Sequence, residues 1–389
     1  MKGNVWRSEE LIFDGDEYFN RILNEIASAK STVEVETYIY REDAIGARVT
    51  EALGSAAERG LNVRLIVDGI GASGWYERHA AGLERRGVSV RVYHPILFSN
   101  LMSRLARDIG RGFKEPKQPW GRALLSRLNR RDHRKIFIID SNVLYAGSIN
   151  ITSEHCRSVL GASAWRDTAV RVVGGPIDKM ISAYNAVWNR CHDSKAKRRW
   201  RDSFLHRQRR IKPSRLLRLN HTRRLRKRSY EELLHKISTA KARVWITNAY
   251  FAPSGRLRKA LKAASENGAD VRILVPRNSD VFFMPWVATA HYVLILKENG
   301  KVYEYLPRFL HAKTALIDNW AIVGSSNLNR RSLLHDFEVD IVLVHSETKA
   351  ALSERFQLDL AESEQVLTAR GGLTAFLGRV LSRLLKNWI

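Results

Sequence analysis

Residues 29–40 read AKSTVEVETYIY and residues 240–251 read AKARVWITNAYF, and this pair of related strings decides the fold. Each alternates apolar and polar side chains, a pattern that is typical of a β-strand. A helical stretch follows each string and ends at Gly60 or Gly268, and a second strand comes directly afterwards. Because strand, helix and strand recur in this order, the sequence predicts two similar α/β units within one chain.

The two copies differ in length at one place. A third strand-like run ends at Pro95 in the first copy and at Pro307 in the second. The next shared landmark, His311, follows Pro307 closely, whereas its counterpart His133 is far from Pro95. The first copy therefore carries an insertion over about residues 96–130.

Both copies then present the same ordered set of polar residues. The first contains His133, Lys135, Asp140, Ser148 and Asn150, and the second contains His311, Lys313, Asp318, Ser325 and Asn327. His and Lys two residues apart in a strand point to the same face. A hairpin centred on Ser141–Asn142, or on Asn319, would place each His opposite the Asn and each Lys opposite the Ser. An imidazole, an ammonium, a hydroxyl and an amide therefore converge twice, which provides a nucleophile or acid among donors to an oxyanion.

The acidic residues divide into two groups. Asp140 follows His133 by an odd number of residues, so on a regular strand it points away from the imidazole and organises the turn or a neighbouring backbone. Asp167 and Glu338 stand at matching places at the head of the next strand in each copy. A carboxylate on one ring nitrogen would fix the tautomer of a histidine and raise its nucleophilicity.

The doubled motif resembles the HKD motifs of the phospholipase D superfamily. The resemblance implies two similar phospholipase D-like α/β domains that pack face to face around one active site, with no metal and no other cofactor. It implies that one His attacks phosphorus and becomes phosphohistidine, while the other protonates the leaving alcohol. The catalytic residues expected on this basis are His133, Lys135, Asp140, His311, Lys313 and Asp318. Those expected to bind phosphate are Ser148, Asn150, Ser325 and Asn327, and those expected to orient the histidines are Asp167 and Glu338.

Further strings are similar to bacterial cardiolipin synthases of the B type, over roughly residues 5–345. They are residues 36–40, 67–69, 129–135, 248–251 and 324–328. This resemblance implies transfer of a phosphatidyl group from one phosphatidylglycerol to another, with release of glycerol. It also implies a peripheral protein on the bacterial inner membrane, at its cytoplasmic face. Another phosphatidyltransferase, or a phosphodiesterase that cleaves nucleic acid, remains an alternative.

The charge of the chain indicates a polyanionic partner. Its 65 Lys and Arg exceed its 40 Asp and Glu by 25, and residues 195–228 hold sixteen of these bases. A charge run by itself fits a solvated linker as well as a surface-binding segment. Apolar residues interleave with the bases here, and this pattern suits a segment lying on an anionic membrane better than a free tether. A nuclease would instead gather Lys, Arg and stacking aromatic residues around its cleft, so nucleic acid is the less favoured partner.

These features predict a division of the chain into four parts. Residues 1–194 form the first domain, 195–228 a basic linker, 229–365 the second domain and 366–389 an amphipathic C-terminal helix. The apolar stripe of that helix either anchors it in a membrane interface or packs on the protein.

Several other classes of protein are excluded. Two cysteines exclude a disulfide framework and a four-cysteine zinc site. The longest apolar stretch, 282–296, is too short to span a membrane, and the N-terminus shows no secretory signal. His155 and Cys156, like Cys191 and His192, are expected to be ordinary core or loop residues.

Overall fold

The computed structural model describes residues 5–95, 130–191 and 213–368, together with residues 378, 380 and 381. The expected insertion, apart from Arg130, therefore lies outside the described residues. So do residues 195–212 of the basic segment and most of the C-terminal helix. Within the described part, no helix is long and apolar enough to cross a membrane.

The first domain is a mixed sheet with helices. Its strands are β1 (Ser8–Ile12), β2 (Thr32–Thr37), β3 (Asn62–Asp68), β4 (Ser89–Tyr93), β5 (Ile136–Ile139), β6 (Val143–Gly147) and β7 (Ala169–Val173). Its helices are α1 (Gly15–Ser28), α2 (Ala44–Glu58), α3 (Ser73–Arg85), α4 (Arg157–Leu160) and α5 (Ile177–Trp188). The strand order is β1-β7-β6-β5-β2-β3-β4, in which β2, β3 and β4 run parallel and the other pairs are antiparallel.

The second domain repeats this plan. Its strands are β8 (Leu217–Leu219), β9 (Arg243–Asn248), β10 (Asp270–Pro276), β11 (Lys301–Tyr305), β12 (Lys313–Ile317), β13 (Trp320–Gly324), β14 (Val339–Leu343) and β15 (Ser363–Gln365). Its helices are α6 (Arg223–Ser238), α7 (Gly255–Glu266), α8 (Met284–Lys297), α9 (Arg330–Leu334) and α10 (Ser346–Ala361). The order β15-β11-β10-β9-β12-β13-β14-β8 places β9 where β2 lies in the first sheet, so the predicted α/β repeat is confirmed.

The two sheets pack against each other through their apolar faces. Alternate residues of β5 point in opposite directions: Ile136 and Ile138 join a cluster shared by both domains, whereas Phe137 and Ile139 pack under the helices of the first domain. The shared cluster also contains Leu144, Ala146, Val170, Ala321, Val323, Val339 and Ile341. One continuous apolar core therefore fixes the two domains relative to each other.

Polar contacts from the N-terminal segment reinforce this interface. The Glu9 carboxylate accepts hydrogen bonds from the backbone nitrogens of Val344 and His345, at 2.8 and 2.9 Å. The indole nitrogen of Trp6 donates to the carbonyl of Val342 at 3.1 Å. The first strand of one domain is thus tied directly to the last long strand of the other.

The second domain begins earlier in the chain than the sequence predicted. Strand β8 pairs with β14, and helix α6 follows from Arg223 with its N-terminus capped by Thr222. Residues 217–228 are therefore part of the second domain, and a linker that extends to 228 is wrong over these residues. The physical reason is that the interleaved Leu216, Leu217 and Leu219 are buried against the interface instead of facing outwards.

The described part of the C-terminal stripe is small. Val380 and Leu381 are its described members, and Leu381 packs against Met284 and Val287 of α8. The C-terminal tail therefore contacts the second domain at Leu381. The other residues of the stripe, apart from Val380, lie outside the described residues.

Candidate active site

Backbone bridges between the domains bring the two histidine motifs together. The nitrogen of His133 donates to the carbonyl of Phe337 at 3.0 Å, and the nitrogen of Phe337 donates back to Arg131 at 2.9 Å. A matching backbone bridge joins the histidine of the second domain to the first domain. Here the nitrogen of His311 donates to the carbonyl of Arg166 at 2.8 Å. The next residue in the chain carries a carboxylate in both cases: Glu338 follows Phe337, and Asp167 follows Arg166. Each domain therefore delivers an acid to the histidine of the other domain.

The resulting histidine–carboxylate pairs cross the interface. Nδ1 of His133 lies 3.1 Å from both carboxylate oxygens of Glu338. Nδ1 of His311 lies 2.8 Å from Oδ2 of Asp167. Both predicted carboxylates thus contact histidines, and the partner of each comes from the opposite repeat. With Nδ1 engaged, Nε2 is the nitrogen that each ring has left for chemistry.

Both histidines line one cavity of about 340 Å³. Asn150 and Asn327 line it too, with an aromatic wall of Tyr38, Trp165 and Tyr250. Tyr38 packs edge-on against the His133 ring at 5.0 Å between centroids. This wall is missing from the sequence-based predictions, although Tyr38 and Tyr250 follow directly or nearly so after β2 and β9.

The two lysines lie just behind this cavity. Nζ of Lys135 donates to the carbonyl of His133 at 2.6 Å, and Nζ of Lys313 donates to the carbonyl of His311. Burial lowers the pKa of Lys135 to about 7 and that of Lys313 to about 8. An anion entering the cavity would favour their charged forms, so both lysines are suited to respond to a phosphate.

The two carboxylates have opposite electrostatic environments. Burial raises the pKa of Glu338 to about 8, and burial together with Lys135 and Lys313 lowers the pKa of His133 well below its usual value. Burial alone would raise the pKa of Asp167 as well. The neighbouring His311 and hydrogen bonds from His155 and His311 instead hold it well below the usual range.

Ser148 and Ser325, which were predicted to bind phosphate, do not line the cavity. The hydroxyl of Ser148 donates to Asp167, and that of Ser325 donates to Glu338. The predicted register was one residue off: Ile136 pairs with Ala146 across a three-residue loop, and Ile317 pairs with Trp320 across a two-residue loop. Each serine therefore supports an orienting carboxylate and is fully buried.

Asp140 and Asp318, which were predicted among the catalytic residues, lie away from the histidines and bind backbone. Asp140 sits in the hairpin loop and accepts hydrogen bonds from the backbone nitrogens of Lys30, Ser31 and Thr32 at 2.9, 2.7 and 3.1 Å. Asp318 does the same for the nitrogens of residues 241–243. The expectation that Asp140 organises a turn and a neighbouring backbone agrees with this geometry.

A third histidine belongs to this cluster, and the sequence reasoning missed it. His155 was expected to be an ordinary core or loop residue, yet its Nδ1 lies 3.2 Å from Oδ2 of Asp167. Its Nε2 accepts a hydrogen bond from the nitrogen of Asn150 at 3.2 Å. In the second domain Ser332 takes this place, since it accepts from the nitrogen of Asn327 and donates to Glu338. The signal was present in the sequence, because both residues follow the motif Asn by five positions.

Comparison with known proteins agrees with this arrangement. The family model for the cardiolipin synthase, PLD-like domain matches residues 22–162 and 233–360. Cardiolipin synthase B of Salmonella typhi is 31% identical over 359 residues, which cover 87% of this chain and 76% of that protein. A cardiolipin synthase of Clostridium perfringens is 29% identical over 90% of this chain and 70% of its own length.

Among solved structures, phosphatidylserine synthase of Haemophilus influenzae superposes with a TM-score of 0.72 at 14% sequence identity, covering 100% of this chain and 96% of that one. At this identity the likeness is one of fold. The family model, in contrast, spans most of the chain and includes both histidine motifs. The chain therefore belongs to the cardiolipin synthase family of phospholipase D-like proteins.

Proposed function

We propose that this protein is a cardiolipin synthase that joins two phosphatidylglycerol molecules and releases glycerol. The observation that carries the proposal is the pair of crossed histidine–carboxylate contacts around one cavity. Two imidazoles on opposite sides of a phosphodiester provide an attacking nitrogen and a proton donor at once. The names of the relatives supply the product, cardiolipin, and the resemblance in sequence implies phosphatidylglycerol as the donor and the acceptor.

In the first half-reaction, Nε2 of one histidine attacks the phosphorus of the donor phosphatidylglycerol. The P–N bond forms as the bond from phosphorus to the glycerol oxygen breaks, and the other histidine gives its proton to that oxygen. Glycerol leaves, and the phosphatidyl group stays on the first histidine. The carboxylate on Nδ1 stabilises the positive charge that the attacking ring acquires.

In the second half-reaction, the acceptor is the terminal hydroxyl of another phosphatidylglycerol. The histidine that has lost its proton takes the proton of this hydroxyl, whose oxygen attacks phosphorus and breaks the P–N bond. Cardiolipin forms and both histidines return to their starting state.

Lys135, Lys313, Asn150 and Asn327 are the groups that we assign to the phosphate oxygens. The Oδ1 atom of Asn150 accepts from the nitrogen of Ile39 at 3.2 Å, which leaves the amide nitrogen to donate into the cavity. The lysines supply charge from behind the histidines. Such preorganised donors stabilise the charge that develops on phosphorus-bound oxygens.

Apolar residues at the mouth of the cavity fit a lipid substrate. Val281, Phe283 and Met284 line the cavity, and the adjacent Phe282 side chain is 77% exposed. Trp286, one turn further along α8, is 38% exposed. An acyl chain could leave the cavity over this surface, so we propose peripheral attachment to the bacterial inner membrane, at its cytoplasmic face, with anionic phospholipid as the partner.

Product analysis tests the proposal. Purified protein is mixed separately with phosphatidylglycerol, phosphatidylethanolamine and single-stranded DNA, and the products are separated by thin-layer chromatography and electrophoresis. Cardiolipin and glycerol in equal amounts from phosphatidylglycerol alone would support the proposal, and the His311→Ala variant should form neither. Cleavage of DNA without cardiolipin would contradict it, and a different lipid product would identify another phosphatidyltransferase.

A further inference from the structure

A second, larger cavity lies on the second domain and is lined by positive charge. Its volume is about 1100 Å³, and it is bounded by α6, α7, α8 and α9 together with Arg130. Among the described residues its lining contains no Asp or Glu. The basic side chains that line it are Arg130, Arg223, Arg226, Lys227, Arg256, Arg258, Lys259 and Arg330, with His291 and His335.

The Arg and Lys side chains of this cavity form few ion pairs with described carboxylates. Of the described side chains, only Glu231 forms an ion pair with a cation of the cavity, at 3.8 Å from Lys227. Arg226 is tied to the backbone, since its guanidinium donates to the carbonyls of Leu334 and His335. Burial, together with the like charge of Arg130, lowers the pKa of Arg226 to about 10. Mutual repulsion of this kind is relieved when an anion binds.

Backbone groups add to the positive potential. Helix α6 begins directly after Thr222 and α7 directly after Ser254, and the first residue of each helix lines the cavity. The N-terminus of a helix carries unpaired N–H groups and a partial positive charge, both of which favour anions. Two helix dipoles therefore reinforce the side-chain charge at the same opening.

The cavity is separate from the catalytic one. Helix α9 forms a wall between them: Arg331 and Ser332 face the histidines, while Arg330 and Leu333 face the basic cavity. The residues just outside α9 divide in the same way, because Asp336 lines the first cavity and His335 the second. A ligand in the basic cavity would therefore lie beside the catalytic centre without touching its histidines.

We propose that this basic cavity binds a phosphate group, carried either by a phospholipid headgroup or by a soluble phosphoester. Arginine side chains present a planar fork that matches two phosphate oxygens, and this cavity is richer in arginine than in lysine. A phosphate carries up to two negative charges in a small volume, which suits a cluster of this charge density better than a single carboxylate does. The inference does not depend on which reaction takes place in the neighbouring catalytic cavity.

The test removes two charges at the rim and leaves the walls intact. Arg256 and Lys259 are exposed and form no ion pair with any described residue, so the double variant Arg256→Gln, Lys259→Gln should fold. The matched control is Arg85→Gln, Lys241→Gln, which removes the same charge from exposed positions outside both cavities. Circular dichroism and activity in detergent establish that each variant is folded.

Binding is then measured in two arms at fixed ionic strength. Calorimetry with glycerol 3-phosphate and with pyrophosphate reports a soluble phosphoester, and sedimentation with phosphatidylglycerol vesicles against phosphatidylcholine vesicles reports a lipid headgroup. We expect the rim variant to bind about tenfold more weakly than the control in at least one arm, and the arm affected identifies the source of the phosphate. Equal binding by the rim variant and the control in both arms would overturn the proposal. So would a loss confined to single-stranded oligonucleotide in a parallel titration.

Discussion

Substitution of the hairpin aspartates tests which residues of the motif serve catalysis and which stabilise the fold. Asp140 belongs to the motif by sequence, but its carboxylate holds the backbone of residues 30–32 instead of facing the histidines. Its own backbone lies in the left-handed region, with φ at 49°. We therefore predict that Asp140→Ala destabilises the first domain and leaves the chemical step nearly unchanged.

The expected magnitude follows from these contacts. Each charged hydrogen bond to backbone contributes about 1 kcal/mol at a position as exposed as this one, because water replaces part of what is lost. Alanine also adopts the left-handed conformation less readily than Asp or Asn, at a cost of about 1 kcal/mol. A total loss of about 4 kcal/mol should lower the melting temperature by roughly 5 to 15 °C.

Asp140→Asn is the matched control, since Asn tolerates the left-handed conformation and its oxygen can keep the contacts that Oδ1 makes to Ser31 and Thr32. Asp140→Asn should lose less than half of the free energy of unfolding that Asp140→Ala loses. Melting is followed by circular dichroism, and kcat is measured well below the transition. A fall in kcat of several orders of magnitude with an unchanged melting temperature would refute this reasoning and return Asp140 to the catalytic group.

The pH dependence of the same contact has a definite sign. Although partial burial opposes it, hydrogen bonds from the backbone of residues 30–32 lower the pKa of Asp140. A carboxylate with a lowered pKa stabilises the fold above its unfolded value of about 3.9 and loses this contribution as the pH falls. The difference in stability between the wild type and Asp140→Ala should therefore shrink below about pH 4.

Four further outcomes are expected. His133→Ala and His311→Ala should each abolish cardiolipin formation, and substantial turnover by either would contradict a shared site. Glu338→Gln should lower kcat by about 10²-fold to 10⁴-fold with little change in melting temperature, because His133 loses a partner that can carry charge; an unchanged kcat would show that the carboxylate is dispensable. Activity should survive excess EDTA, and a loss restored by a divalent ion would overturn the assignment of the lysines as the phosphate clamp. Since burial lowers the pKa values of Lys135 and Lys313 to about 7 and about 8, kcat/KM should fall as the pH rises through this range, and Lys135→Arg should move that limb upwards.

The repeat and its elements could be predicted from the sequence because they depend on local pattern. The strings at 29–40 and 240–251 contain β2 and β9, and the helices after them end within two residues of Gly60 and Gly268. Alternation and glycine placement act over a few residues, so a single sequence carries them. The histidines, lysines and asparagines could be located for the same reason.

The hairpin register could not be predicted in this way. The two loops differ in length, with three residues after Ile139 and two after Ile317, although their sequences are similar. Left-handed backbone at Asp140, Ser141 and Asp318 sets these lengths, and such conformations depend on contacts with another strand. The predicted pairing of each serine with a lysine was therefore displaced by one residue.

The pairing of each histidine with a carboxylate of the other domain could not be predicted from the sequence either, because it depends on how the two domains pack. A carboxylate at the head of β7 or β14 could serve either histidine as far as local spacing shows. The choice is made by the backbone bridges at Phe337 and Arg166, which join residues of different domains. Long-range hydrogen bonds of this kind leave no periodic trace in a chain.

The two copies of the repeat also differ in the surroundings of their orienting carboxylates, and this difference suits the proposed reaction. Both orienting carboxylates contact one histidine and one serine of the motif, but the third contact differs: Nδ1 of His155 lies 3.2 Å from Asp167, whereas the hydroxyl of Ser332 donates to Glu338. The carboxyl near two imidazoles has a lowered pKa, and the one among hydroxyls has a pKa raised to about 8. This difference in proton affinity between the two half-sites suits a reaction in which one imidazole attacks phosphorus and the other donates a proton. The pairing of Asp167 with His155 in one half-site and of Glu338 with Ser332 in the other therefore gives the two histidines different environments and, we infer, different roles.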